Sequence, residues 1–361
     1  MELSGGGGHE QPHTATGSEA FLVLDAPVSF TPFNTRESQA MTVLYLRAPT
    51  GLDGAYPDFV KAIDGRFPYE VYDPDGPMAE QFEGVSVVID PGGAVGTRAL
   101  IDAALAAGVK LWHVTTNGTD HVDVAYFLEQ GLPLANSPGR LSAVPLAEHV
   151  VMLILCFAKD LKHNRADGWQ RAMGEELAGK KLGLIGFGAS AREVARRAWP
   201  LGLRIMAIDA VAFPQAELDE FHVEFLGGPE QMDHVLGQAD YLSLHVHLNA
   251  TTRHMIDRRA LELMKPNAVL LNIARGGLVD EEALVEALQQ GGIRGAGLDV
   301  FEQEPLPANH PLLQLDNVIL TPHSSGLTPE TPQRRMEAAV ANVERIAKGL
   351  PPGDLVTELV R

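Results

Sequence analysis

Cysteine and positive charge are both scarce in this sequence. Cys156 is the single cysteine among 361 residues, which excludes a disulfide within the chain. The 28 lysines and arginines are outnumbered by 47 aspartates and glutamates, and the formal net charge is −19. Nucleic acids and anionic membranes are bound through basic patches, so this balance argues against both as partners. An anionic substrate would need a local cationic site.

Long apolar runs and targeting signals are also missing. The apolar run at 150–158 is too short to span a bilayer. The amino terminus has no basic start followed by an apolar segment, so we expect no secretory signal and a cytoplasmic protein. We assign no metal site, because His9 and His13 lie in a glycine-rich tail where solvation is the simpler interpretation.

The order of the predicted elements divides the chain into parts. Residues 1–40 are predicted to form a tail and an arm. From residue 41 strands and helices alternate, with strands at 42–46, 85–90, 111–115 and 132–135. A second alternating run spans 182–321, and such alternation implies parallel sheets. We therefore predict an α/β protein with two doubly wound parallel-sheet domains.

Two predicted helices stand apart from these runs. An apolar helix at 146–165 precedes the second run and could join two domains across a cleft. An amphipathic helix at 329–348 follows the second run, and we expect it to cross back and pack on the first domain. The first domain would then contain residues 41–142 plus 327–361, and the second would contain residues 143–326.

A glycine-rich turn opens the second domain. Residues 182–185 are typical of a short buried strand, and the residues after 190 are typical of a helix. The turn between them matches the dinucleotide fingerprint, in which glycines let a pyrophosphate approach the backbone and the free N–H groups of the helix. The predicted cofactor-binding residues of this turn are Gly186, Phe187, Gly188, Ala189 and Ser190.

Asp209 indicates which dinucleotide the turn would hold. It ends the next predicted strand, about 20 residues after the turn, where an acid accepts hydrogen bonds from the adenosine ribose. A carboxylate there repels a 2′-phosphate, and residues 210–212 supply no arginine that would attract one. The sequence therefore predicts NAD(H) as the cofactor.

Polar side chains follow three later strands of the second domain. Arg275, Glu304 and His323 each come shortly after a predicted strand, as does Asp299. In an open α/β sheet, ligands bind beyond the carboxyl ends of the strands, so these side chains should converge on the cofactor.

The converging groups suit the reduction of a 2-oxo acid. Arg275 can hold a carboxylate through its planar fork of donors. His323 can protonate the ketone oxygen after hydride has reached the carbon, and it is the base in the reverse direction. Glu304 can hydrogen-bond the imidazole, orient it and favour its protonated form.

The motifs from 143 to 326 resemble those of the D-isomer-specific 2-hydroxyacid dehydrogenase family. The resemblance implies a Rossmann NAD-binding domain inserted in a flavodoxin-like substrate domain, a homodimer, and Arg275, Glu304 and His323 as the catalytic residues. It also implies that His245, Ala274 and Asp299 border the cofactor, and that Gly92 and Gly93 expose amides to the substrate carboxylate. The matching segments are 146–150, the glycine turn, 272–277, 298–305 and 321–323.

Several positions depart from the family pattern. Ala191 replaces the usual third glycine, which the fingerprint tolerates. His247 stands where many members have proline, at a position that borders the cofactor in relatives. The first 40 residues have no clear match in the basic family pattern.

Other functions stay open at this stage. Segments 120–123 and 147–151 are also similar to formate dehydrogenases, which carry glutamine where Glu304 stands. Formate has no ketone oxygen to protonate, so Glu304 favours hydroxy-acid chemistry. A non-catalytic NAD-sensing corepressor or scaffold of the same fold is the second alternative, which the intact catalytic set disfavours. Glyoxylate, hydroxypyruvate, phosphoglycerate and bulkier oxo acids all remain candidate substrates, and the direction of the reaction is open.

Overall fold

The computed structural model describes residues 41–47, 55–92, 96–119 and 121–357. The predicted tail and arm at 1–40 therefore lie outside the described residues, as does Gly93. Within the described ranges the chain forms two parallel sheets with alternating helices, which confirms the predicted α/β class. None of the helices in these ranges is long and apolar enough to cross a membrane.

The first sheet has five parallel strands in the flavodoxin-like order β2–β1–β3–β4–β5. All residues of the central strand β3 are buried, as expected for a strand covered on both faces by helices. The strands are β1 (Thr42–Tyr45), β2 (Tyr69–Val71), β3 (Val85–Asp90), β4 (Leu111–Val114) and β5 (Leu134–Asn136). The helices are α1 (Tyr56–Ile63), α2 (Met78–Gln81), α3 (Arg98–Ala106) and α4 (Val124–Gln130).

The second sheet has seven parallel strands in the order β12–β11–β10–β9–β6–β7–β8. From β6 the chain adds β7 and β8 on one side of the sheet, and then adds β9 to β12 on the other side. The order of the strands therefore switches between β6 and β9, and ligands bind in the crevice at such a switch point. The strands are β6 (Lys181–Ile185), β7 (Arg204–Ile208), β8 (Val223–Gly227), β9 (Tyr241–Leu244), β10 (Val269–Asn272), β11 (Gly295–Leu298) and β12 (Val318–Leu320). The helices are α6 (Ala189–Ala198), α7 (Gln215–Glu220), α8 (Met232–Gln238), α9 (Arg258–Leu263) and α10 (Glu281–Gln290).

Helix α5 (Ala143–Ala158) connects the two sheets, and its bounds correct the predicted 146–165. It begins earlier than predicted because Pro145 is tolerated in a first turn, where its missing N–H is not needed. It ends earlier because the chain turns at Asp160, whose φ is +49°. Its buried face, including Leu153 and Phe157, packs in the core of the seven-stranded sheet.

The last helix, α11 (Glu330–Ala347), returns to the five-stranded sheet as predicted. Its apolar residues Met336, Val340 and Val343 pack in one core cluster with Val43 and Tyr45 of β1. The chain then continues to the edge of the sheet, where Leu355 forms an isolated antiparallel bridge with Ala135. Residues near both ends of the described chain therefore belong to one layer, while the exact domain boundaries stay predictions.

Candidate active site

A cleft of about 800 Å³ lies between the two sheets, at the carboxyl ends of their strands. Loops that follow β4, β5, β6, β9, β10, β11 and β12 contribute to its wall. The structure thus brings together most of the side chains that the sequence singled out. The predicted residues in this wall are Gly188, Ala189, Ser190, His245, Ala274, Arg275, Glu304 and His323.

The glycine turn is shaped by close backbone contacts. Gly186 has a φ of +91°, and a Cβ on it would lie 2.7 Å from the carbonyl oxygen of His245. Only glycine fits this position, because both the left-handed backbone and the adjacent β9 loop exclude a side chain. Gly186 therefore supports the turn from behind and does not line the cleft.

Gly188 and the start of α6 form a site that suits a pyrophosphate. A Cβ built on Gly188 would have nothing within 4 Å, so the missing side chain leaves space open on the cleft side. Gly188 is also the N-cap of α6, and no side chain caps this helix. The N–H groups of its first turn and the positive end of its dipole are therefore available to an anion.

Asp209 lies directly behind the glycine turn. One carboxylate oxygen, Oδ2, accepts a hydrogen bond of 2.7 Å from the N–H of Phe187, and Oδ1 accepts one of 2.9 Å from Val211. The carboxylate is partly exposed, and each oxygen keeps a lone pair for a further donor. This position agrees with the ribose-binding role that the sequence predicts, although the residue does not line the cleft itself.

The side chain of Phe187 faces the core. Its ring is fully buried and packs edge-on against Phe213 and Phe221. Its N–H is directed to Asp209 rather than into the cleft. Phe187 therefore holds the turn against the core, and its contact with the cofactor stays a prediction.

His245 is an uncharged member of the cleft wall. Its Nδ1 lies 2.9 Å from Oγ of Ser190, and its Nε2 lies 2.9 Å from Oγ of Ser243. Burial lowers the pKa of His245 to about 3, so the ring is neutral at physiological pH. The imidazole thereby ties the first turn of α6 to β9 without adding a positive charge.

His323 and Glu304 form the pair that the sequence predicts. Nδ1 of His323 lies 2.7 Å from Oε2 of Glu304. The other oxygen of Glu304 accepts a hydrogen bond of 2.9 Å from the N–H of Phe301, which fixes the carboxylate. Half of the His323 side chain is exposed, so the ring can meet a ligand in the cleft while Glu304 holds its far side.

Asn272, at the end of β10, positions Arg275. Its amide accepts a hydrogen bond from the N–H of Ala274 and donates one of 2.8 Å to the carbonyl of Arg275. The loop is also pressed against the one that carries Glu304, since a Cβ on Gly276 would lie 1.9 Å from the carbonyl carbon of Phe301. Arg275 is thus held on a short, tight loop with its guanidinium partly buried in the cleft wall.

Asp299 is buried beneath this site, and its observed contacts are all internal. Its carboxylate accepts hydrogen bonds from Oγ1 of Thr321 and from the N–H groups of Ser324 and Ser325, at 2.6 to 2.8 Å. Burial alone would raise the pKa of Asp299, but these hydrogen bonds outweigh it and lower the pKa. The ionised carboxylate therefore clamps the loop that carries His323, and a contact with the nicotinamide stays a prediction.

The contacts of Gly92 do not support a role in binding the substrate. Its N–H donates to Oδ1 of Asp90 at 3.2 Å, and it does not line the cleft. An amide that is directed to a protein carboxylate is a poor donor for a second anion. The predicted role of Gly92 stays a prediction, and Gly93 lies outside the described residues.

The structure also adds wall residues that the sequence did not single out. Asn117 and Gly139 come from the ends of β4 and β5, and both also line a second cavity of about 740 Å³ that shares this wall. The sequence signal that could have identified these two residues is their position shortly after predicted parallel strands. Arg253, in the turn between β9 and α9, and Arg335, in α11, complete the cationic part of the cleft. Nothing in the sequence around either arginine distinguishes it from an ordinary solvated residue. His247, the departure from the family pattern, has an exposed side chain on the rim.

Comparisons with known proteins agree with this geometry. Residues 151–325 match the family model of the D-isomer specific 2-hydroxyacid dehydrogenase, NAD binding domain. A D-3-phosphoglycerate dehydrogenase from Methanocaldococcus jannaschii is 36% identical over 278 residues, covering 75% of this chain and 52% of that protein. This chain therefore spans about half the length of that relative.

Two further relatives are covered more fully. A glyoxylate reductase from Korarchaeum cryptofilum is 36% identical over 253 residues, covering 67% of this chain and 74% of that protein. The crystal structure of a D-lactate dehydrogenase from Aquifex aeolicus, complexed with NAD and lactic acid, has a TM-score of 0.72 at 28% identity and covers 88% of this chain and 99% of that chain. With its two sheets, its glycine turn and its strand-end residues in place, the chain belongs to the D-isomer-specific 2-hydroxyacid dehydrogenase family.

Proposed function

We propose that this protein is an NAD-dependent oxidoreductase that interconverts a D-2-hydroxy acid and its 2-oxo acid. The observation that carries the proposal is the pair of His323 and Glu304 at 2.7 Å, in the same cleft wall as Arg275 and the uncapped start of α6. This reaction needs an acid–base group, a carboxylate that orients it, a cation that binds the substrate and a helix end that binds the cofactor's pyrophosphate. The cleft contains all four.

The residues of the chain divide the reaction between them. When bound, NADH supplies the hydride that adds to the carbonyl carbon of the oxo acid. Arg275 binds the substrate through paired N–H donors and stabilises negative charge on its oxygen atoms. His323 gives a proton to the carbonyl oxygen, so that hydride and proton together make the alcohol, and Glu304 stabilises the positive ring before the transfer. In the reverse direction the neutral imidazole accepts the proton from the hydroxyl group.

Asp209 and α6 support NAD(H) as the cofactor. The open space at Gly188 and the free N–H groups of α6 fit a pyrophosphate, and the carboxylate of Asp209 stands where it would meet ribose hydroxyls.

Neither alternative function is favoured by the site. A formate dehydrogenase needs no proton donor for a ketone oxygen, and a carboxylate bound to the histidine has no task there. A corepressor or scaffold needs no such pair either. Glu304 has both of its oxygens engaged, one by Phe301 and one by His323, which is the arrangement that acid–base catalysis requires.

The test is to follow NADH oxidation by the purified protein with a panel of small 2-oxo acids, and NAD reduction with formate in parallel. We expect turnover with at least one oxo acid and none with formate. Brisk reduction of NAD by formate would overturn the choice of substrate class. Tight NADH binding without turnover of any oxo acid would favour the non-catalytic alternative.

We further propose a homodimer, with the segment after α5 as its contact surface. The side chains of Leu161, Trp169 and Met173 in this segment are 59%, 79% and 95% exposed. Large apolar side chains that are exposed together in this way often mark a contact surface between proteins. Light scattering should give the mass of two chains, and a Trp169→Ser/Met173→Ser variant should give a smaller mass. A wild-type protein with the mass of one chain would contradict the proposal. Cytoplasmic location stays a prediction from the sequence.

A further inference from the structure

Arg335 lines the cleft, but its positive charge has no role in the proposed reaction. It lies in the second turn of α11 and lines the cleft together with Arg275 and His323. Its Nε is buried and has no hydrogen-bond partner among the described residues. The neighbouring Arg334 is anchored instead, since its Nε donates to the carbonyl of Leu141 at 2.8 Å.

Arg335 is partly shielded from water in the cleft wall. Burial, and to a lesser degree the charge of Arg334, lowers the pKa of Arg335, and no carboxylate of a described residue forms an ion pair with it. Nearby Arg140, by contrast, is paired with Asp354 at 3.0 Å. A guanidinium group whose Nε is removed from water without a partner is costly. An anionic ligand in the cleft would supply the missing one.

The other anions of the reaction already have binding groups on the opposite wall. The start of α6 suits the pyrophosphate, and Arg275 suits the carboxylate beside the reacting carbonyl. Arg335 belongs to the wall formed by α11, which packs on the five-stranded sheet. We propose that Arg335 binds a second anionic group at the far end of the substrate, so that the preferred substrate is a 2-oxo acid with a further carboxylate, phosphate or sulfonate. This inference rests on the proposed function.

Two substrates of nearly equal shape provide the test. Oxaloacetate ends in a carboxylate, and 4-methyl-2-oxopentanoate ends in an isopropyl group of similar size. We expect wild-type protein to show the higher kcat/KM for oxaloacetate, mainly through a lower KM. Arg335→Gln should reduce the kcat/KM for oxaloacetate by about 30-fold more than that for 4-methyl-2-oxopentanoate, the usual range for a charged hydrogen bond.

Two further variants separate charge from folding. Arg335→Lys keeps the charge and should recover part of the preference for oxaloacetate. Arg345→Gln, at the exposed end of the same helix, should keep the wild-type ratio. A wild-type preference for the isopropyl substrate, or an equal loss for both substrates in Arg335→Gln, would overturn the inference and leave the proposed function intact. Absence of turnover with every 2-oxo acid would overturn both.

Discussion

The seven-stranded and the five-stranded sheet present the carboxyl ends of their strands to the same cleft, but with different chemistry. The ends of β10, β11 and β12 carry Arg275, Glu304 and His323. The ends of β4 and β5 carry Asn117 and Gly139, and no carboxylate–imidazole pair lines the cleft among the described residues of this wall. We propose that the ends of β10, β11 and β12 determine the reaction, whereas the five-stranded sheet with α11 determines which substrate is accepted.

The largest expected effect comes from the proton donor on the seven-stranded side. His323→Ala should lower kcat by about 1,000-fold, because the oxygen of the substrate loses its proton source. The dissociation constant for NADH, measured by fluorescence titration, should stay near the wild-type value. His234→Ala, an exposed histidine on α8, is the control. An unaltered kcat in His323→Ala would assign the chemistry to another residue and break the comparison between the sheets.

Glu304→Gln should have the next largest effect. The amide keeps a hydrogen bond to His323 but no longer stabilises a positive ring, so kcat for reduction should fall by about 50-fold. Glu302→Gln is the matched control, because its carboxylate is bound to His254 rather than to His323. Equal losses in the two variants would show that a general negative charge, and not the orienting contact, is what matters.

Asp209→Asn tests the assignment of NAD(H), rather than NADP(H), as the cofactor. The amide oxygen can still accept the hydrogen bond from Phe187, so the glycine turn should stay in place. Without the negative charge, the preference for NADH over NADPH in kcat/KM should fall by about tenfold. Asp219→Asn, an exposed acid on α7, should leave the preference unchanged. A full wild-type preference in Asp209→Asn would remove Asp209 from cofactor selection.

The sequence predicted the seven-stranded side more completely than the five-stranded side. Its strands are short, buried apolar runs between clear helices, and the strand predicted at 182–185 is β6 with one further residue. On the other side, β2 is a three-residue edge strand that is partly exposed, and α2 has four residues, so neither carries a periodic signal. The predicted end of α5 was also wrong. The chain turns because Asp160 adopts a left-handed backbone conformation, which its residue type alone does not predict.

The candidate site shows the same division. Arg275, Glu304 and His323 could be found because each follows a strand within a recognisable motif. Arg335 could not be found, because helical periodicity does not tell which of two adjacent arginines faces a cleft formed by another part of the chain. The internal contacts of Asp299 and Phe187 were hidden for a similar reason, since they depend on the distances between loops.

The smallest effect on turnover, but a measurable one on stability, is expected from His113 in β4. Burial lowers the pKa of His113 from 6.5 to about 4. Between these values the unfolded chain binds a proton that the folded chain does not, so the free energy of unfolding should fall as pH falls, by about 3 kcal/mol from this residue. In His113→Leu the decrease measured by urea unfolding should be smaller by that order. An identical pH dependence in both proteins would contradict a buried neutral imidazole.

Our main proposal is that residues at the strand ends of the seven-stranded sheet catalyse the reduction of a 2-oxo acid by NADH, with His323 as the proton donor. Its most direct test is the stoichiometry of NADH oxidised to hydroxy acid formed, with the product resolved on a chiral column, for wild type and His323→Ala. We expect the wild type to form one D-2-hydroxy acid per NADH oxidised and the variant to form almost none. An L-hydroxy acid, or equal turnover in the two proteins, would contradict it.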